Sequence, residues 1–122
     1  MAIDRRSFLI GLGVAPLPAD ATRAGDGALY ISACVRPDGD EAVAAFAADG
    51  ALRFTAKLPG RGHGAVRRPA TNEVIVFARR PGDWAAVIAL ASGLARKAIV
   101  APKGRHFYGH GAFLDDGRLH YA

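Results

Sequence analysis

The four residues Gly62-His63-Gly64-Ala65 return as Gly109-His110-Gly111-Ala112, 47 positions later. A repeat of that length limits the fold more than any composition figure. Each copy must be one supersecondary unit that hides its apolar faces against its neighbours. The same order of events follows each copy. Val66-Arg67-Arg68-Pro69 leads to a turn at Ala70-Thr71-Asn72 and then to the β-forming run Glu73 to Arg79. Phe113-Leu114 leads to a turn at Asp115-Asp116-Gly117 and then to Arg118 through Ala122. A partial earlier copy opens at Asp26-Gly27 and continues as the run Ala28 to Cys34. Gly27, Asn72 and Gly117 are spaced by 45, and Leu29, Val74 and Leu119 keep that register.

A unit of about 45 residues is what a four-stranded propeller blade needs. Inside the middle unit the pattern predicts strands over His63 to Arg67, Glu73 to Arg79, Trp84 to Ala91 and Leu94 to Val100. The earlier unit offers Ala42 to Ala47 and Leu52 to Leu58. Asp49-Gly50 and Ser92-Gly93 are tight-hairpin signals, because glycine reaches positive φ without a Cβ clash. The alanine-rich stretches 42 to 48 and 84 to 95 favour helix on propensity alone. The repeat and the Ser92-Gly93 break decide for strands, and the expected class is all-β. The expected architecture is a β-propeller type with four-stranded blades, about two and a fraction of them present and the ring incomplete. A stack of this kind would leave one sheet face and one edge uncovered, so the chain reads as the N-terminal part of a larger propeller.

The first residues read as an export signal, giving an expected division into a signal peptide over 1–21 and a propeller portion over 22–122. Asp4-Arg5-Arg6-Ser7-Phe8-Leu9-Ile10 resembles the twin-arginine consensus, carried by Arg5, Arg6, Phe8 and Leu9. An apolar, glycine-rich stretch runs from Phe8 to Leu17, and Ala19 and Ala21 then supply small residues for cleavage after Ala21. The apolar run is about a dozen residues where a membrane span needs roughly 20, so no stable membrane anchor is expected. The twin-arginine translocase is the implied first partner and the periplasm the implied destination.

The net charge of +5 would prompt a nucleic-acid reading in a cytoplasmic protein. An exported protein meets no nucleic acid, and Arg105-His106-Phe107-Tyr108 is the only cluster mixing basic and aromatic residues. Cys34 is the single cysteine, which excludes an intrachain disulfide. It reads as a small apolar residue of a buried strand.

Three segments in order, Gly60-Arg61-Gly62-His63-Gly64, Val76-Phe77-Ala78-Arg79-Arg80-Pro81-Gly82 and Gly104-Arg105-His106-Phe107-Tyr108-Gly109-His110-Gly111, resemble the bacterial DUF1513 family. The resemblance implies twin-arginine export, a propeller-type repeat, a periplasmic location and a link to iron acquisition. It implies no reaction.

The histidines are the candidate site. The first strand of a propeller blade lines the central channel, where glycine allows close backbone approach. His63 and His110 would then project from adjacent blades, with His106 joining from the loop above. Neutral imidazole ligates transition metals such as iron or copper, although the same side chains also serve to bond one blade to the next. Arg61 and Arg105 are candidates for binding an anion. Arg67-Arg68 and Arg79-Arg80 read as solvated edge charges. Gly60-x-Gly62-x-Gly64 lacks the helix that a phosphate loop requires. Ser32 and Ser92 lack a nucleophile-elbow context, and Asp38, Asp40, Asp49, Asp115 and Asp116 fall in turn signals. The expected function is therefore a periplasmic binding or scaffold protein, with a periplasmic partner protein. A metal-dependent enzyme using the histidines and a non-functional remnant are the alternatives.

Overall fold

The structure, a computed structural model, describes residues 27–121, with side chains through Leu119. The signal residues Arg5, Arg6, Phe8, Leu9, Ala19 and Ala21 lie outside the described residues. Nine strands follow one another in simple up-and-down order, and no helix occurs among the described residues. Strands β1 (Leu29–Val35), β2 (Glu41–Ala47) and β3 (Leu52–Lys57) form a three-stranded antiparallel sheet. Strands β4 (Gly62–Arg67), β5 (Glu73–Ala78), β6 (Trp84–Ala89) and β7 (Ala95–Val100) form a four-stranded one. A last pair, β8 (Gly111–Phe113) and β9 (Leu119–Tyr121), forms a third sheet.

The hairpin turns show why the sequence punctuates where it does. In Asp38-Gly39, Asp49-Gly50 and Asp116-Gly117 the glycine has positive φ, at 88°, 83° and 77°. In each, the aspartate Oδ1 accepts the backbone N–H two residues on, at 3.0, 2.9 and 3.0 Å. Ser92-Gly93 repeats the device with a hydroxyl, Ser92 Oγ accepting from Leu94 at 3.3 Å. These side chains bond the backbone locally, which is the reason Asp and Ser favour such turns.

Two apolar clusters hold the three sheets together, one on each face of the four-stranded sheet. Val43, Ala56 and Leu58 of the first sheet's side meet Val74, Val76, Ala86 and Ile88. On the opposite face Ile75, Phe77, Ala85 and Val87 meet Phe107, Phe113 and Leu119. The central strands β5 and β6 are consequently buried along almost their whole length. That double burial explains the alanines. Ala85 and Ala86, and Ala42, Ala44 and Ala45 in β2, are all nearly inaccessible. Small side chains there allow close packing, and tertiary contact overrides their helical propensity.

The cross-strand pairs reveal the true repeat register. Ile31 pairs with Ala45, Ala33 with Val43, and Val43 with Ala56. Ile75 pairs with Val87, Phe77 with Ala85, and Ala85 with Ile99 in the same arrangement. Ile31 thus corresponds to Ile75, a shift of 44 that also aligns Arg36-Pro37 with Arg80-Pro81. The expected alignment of Leu29 with Val74 is off by one, because Leu29 shares the side of β1 that carries Ile31 and meets the second sheet, whereas Val74 points back toward the first. Leu119 does keep its place beside Val74, since Leu114 bonds Arg118 as Arg68 bonds Glu73. With this register, the first sheet lays the Ile31 face on the second, and the second lays its Ile75 face on the third. The stacking is head-to-tail.

Candidate functional site

The two Gly-His-Gly copies meet each other. The His63 and His110 rings lie edge-to-face with centroids 4.8 Å apart, and both residues are exposed. Backbone contact sets this geometry. Gly64 N–H donates to Gly109 C=O at 2.9 Å, tying β4 to the segment before β8. Gly109 has φ of 92°, and a Cβ there would come within 2.6 Å of the His63 ring. A Cβ on Gly64 would collide with the Gly109 carbonyl and approach His110 Nδ1 to 3.2 Å. Each glycine therefore makes room for the histidine or backbone of the other copy. Gly62 is packed against Leu58, Ala33 and Val76, and Gly111 against the Phe77 ring. All four motif glycines are demanded by packing between sheets.

His106 does not join the pair. Its ring lies against Tyr108, with centroids 4.9 Å apart, and its Nε2 is buried without a hydrogen-bond partner. Arg80 also covers Tyr108, its guanidinium carbon 4.7 Å from the ring centroid. Phe107, between these two, anchors the loop by packing on Phe77 at 5.8 Å and donating its N–H to Gly82 C=O at 2.9 Å. The Phe107 anchor and the Arg80–Tyr108–His106 arrangement were not expected from sequence. The Arg105-His106-Phe107-Tyr108 cluster was the available signal, and it is split between core and surface.

Two imidazoles do not make a metal centre alone. Among the described residues no group of three or more His, Cys, Asp or Glu is placed to hold a metal ion. The residues present fit an iron or copper site only as two of its ligands, with the remainder from elsewhere.

The expected anion-binding residues separate. Arg61 stands on a cavity of roughly 540 Å³ between β1 and β4, together with Arg79, His63, Cys34 and Glu41. Arg105 is exposed on the loop after β7 and is not among the cavity's lining. Of the paired arginines, Arg68 is held by Glu73 at 3.1 Å, as an edge charge should be. Cys34 is half-buried in β1. Burial holds its thiol pKa above the ordinary value, helped by Glu41 and opposed by Arg36, which keeps it protonated and slow to react. Asp40 is held below the usual carboxylate range by a hydrogen bond from Lys57 at 2.8 Å.

No curated protein and no solved structure matches this chain. One family does match, over residues 56–122, from the end of the first sheet through both Gly-His-Gly copies. That is more than half of the chain, and it contains Arg61, His63, Arg105, His106 and His110. The chain belongs to the family described as protein of unknown function, DUF1513.

Proposed function

We propose that this chain builds successive blades of an exported β-propeller whose role is binding, with the His63–His110 pair as its recognition groups. The observation that carries the reading is the pair itself. Two copies of one motif, one on β4 and one leading into β8, put two exposed imidazoles in ring contact. Head-to-tail stacking supports the propeller, since a rotation repeated in one sense generates a ring or a superhelix. The Arg5-Arg6 signal and the family resemblance support a periplasmic address, export by the twin-arginine translocase, and a part in iron acquisition.

A binding role is favoured over catalysis because, among the described residues, no nucleophile, base and orienting group are seen to converge around the pair. The second reading is a metal-dependent enzyme, and the same two imidazoles favour it. The test is metal content. Protein recovered from the bacterial periplasm, washed with chelator, is analysed for iron and copper beside His63→Ala and His110→Ala variants. The binding reading predicts no stoichiometric metal in any of them. One metal per chain in the parent, absent from both variants, would contradict it and make the histidine pair part of a metal site, as the second reading requires.

A further inference from the structure

Four ion pairs occur among the described residues, Arg36–Asp38, Lys57–Asp40, Arg68–Glu73 and Arg118–Asp116, each neutralising a basic side chain at a turn or strand end. The arginines next to the imidazole pair take no part in this. Arg61 precedes Gly62-His63 and lines one cavity with His63 and Arg79, and Arg79 N–H donates to Arg61 C=O at 2.8 Å. Arg80 belongs to the His110 end of the pair, lying over the ring of Tyr108, two residues before His110. All three arginines are exposed, as are Tyr108 and both histidines. Glu41 shares the cavity and Asp83 follows Arg80 by three residues, yet among the described residues neither forms an ion pair with any of the three.

Every one of these groups sits at a turn or strand end between positions 61 and 110, and none depends on an open strand edge. Their chemistry points one way. A guanidinium offers five N–H donors and no acceptor, in a fork that matches a carboxylate or a phosphate. An imidazole has an N–H donor in either charge state. Positive charge gathered without a counter-charge repels itself, and a bound anion relieves that repulsion. The surroundings of the pair are therefore rich in donors and in positive charge.

We infer that the ligand of the His63–His110 pair is a small oxyanion carrying two or more carboxylate or phosphate groups, one held by Arg61 and Arg79 beside His63 and another by Arg80 beside His110. Guanidiniums at both ends of the pair are what call for two anionic groups. The imidazoles donate to the ligand between them, and charge-assisted hydrogen bonds from the arginines supply most of the affinity. A small molecule is favoured over an acidic protein segment because the groups all come from one sheet and the segment that follows it. This ligand class rests on the reading of the pair as a recognition site.

The probes are inorganic pyrophosphate and propane-1,2,3-tricarboxylate, with acetate as the single-charge comparison and a short polyglutamate peptide as the acidic segment. Each is titrated calorimetrically into the full chain, freed of metal with chelator and then dialysed into plain buffer. At least one probe is expected to bind about tenfold or more tighter than acetate. Its affinity is expected to fall about tenfold or more between about 0.01 and 0.1 M salt. Arg61→Gln and Arg80→Gln are each expected to weaken binding about tenfold, His63→Ala and His110→Ala to weaken it too, and Arg96→Gln on β7 to leave it unchanged. The salt series on the parent decides the matter if a variant fails to fold. Binding no tighter than acetate, affinity independent of salt, an equal loss in Arg96→Gln, or tighter binding of the peptide would overturn the inference. So would binding that returns only with added iron or copper, since a metal would then hold the anion. Affinity kept in both arginine variants but lost in both histidine variants overturns the ligand class and leaves the recognition pair standing. Affinity kept in both histidine variants overturns the two together.

Discussion

At the scale of single residues, the glycines of the repeat are explained by what lies over them. Gly109→Ala meets two penalties, positive φ and the His63 ring, whereas Gly104 has positive φ and open space. A left-handed alanine costs about 1–2 kcal/mol, so Gly104→Ala is expected to lose about that much. Gly109→Ala is expected to lose about 1–3 kcal/mol more, and adding His63→Ala to recover part of the excess. Urea unfolding midpoints of the four proteins check this, and equal losses at both glycines would refute it. The spacing of Gly-His-Gly was legible in the sequence because the repeat displays it. That the glycines serve the opposite copy was not, since close approach between sheets leaves no mark on local pattern. Cys34 was legible as an inert, strand-borne thiol, though it is half-buried and not fully so. Its raised pKa predicts alkylation slower than that of a free thiol at neutral pH, accelerating only above the ordinary thiol range.

At the scale of elements, the strands and turns were read closely, β1 to β7 each beginning and ending within about two residues of expectation. Alternation and Asp-Gly signals act locally and are visible in one sequence. Two features escaped. The one-residue change of register at Leu29 depends on which face of β1 meets the next sheet. The Phe107 anchor depends on a loop returning to the Phe77 ring. Phe107→Ala is expected to cost about 3–5 kcal/mol, the range for emptying a buried aromatic site. Tyr108→Ala, at an exposed position, is expected to cost less, and thermal unfolding of the two variants separates them. The β1–β2 and β2–β3 ends are joined by the Asp40–Lys57 pair. Because Asp40 has a lowered pKa in the folded state, its contribution is complete above the unfolded carboxylate pKa. It is lost as pH falls through the folded value. Lys57→Gln should therefore lag the parent in stability at neutral pH and draw level in acid, as read from urea midpoints across that range.

At the scale of the whole molecule, the sheets share one rule of assembly. The Ile31 face of the first covers the Val74 face of the second, and the Ile75 face of the second covers the Leu119 side of the third. Repetition of a roughly 45-residue unit announced such a stack, because no unit can bury both of its faces alone. Repetition pointed both histidines toward one channel, and left open only whether their rings touch, which needs three dimensions. The most direct test is a carbon-edited NOE experiment on the folded chain with His63 and Gly109 assigned. The account predicts cross-peaks from the His63 ring to Gly109 Hα and to the His110 ring. Their absence, with the β4–β5 and β8–β9 pairings intact, would contradict a shared site.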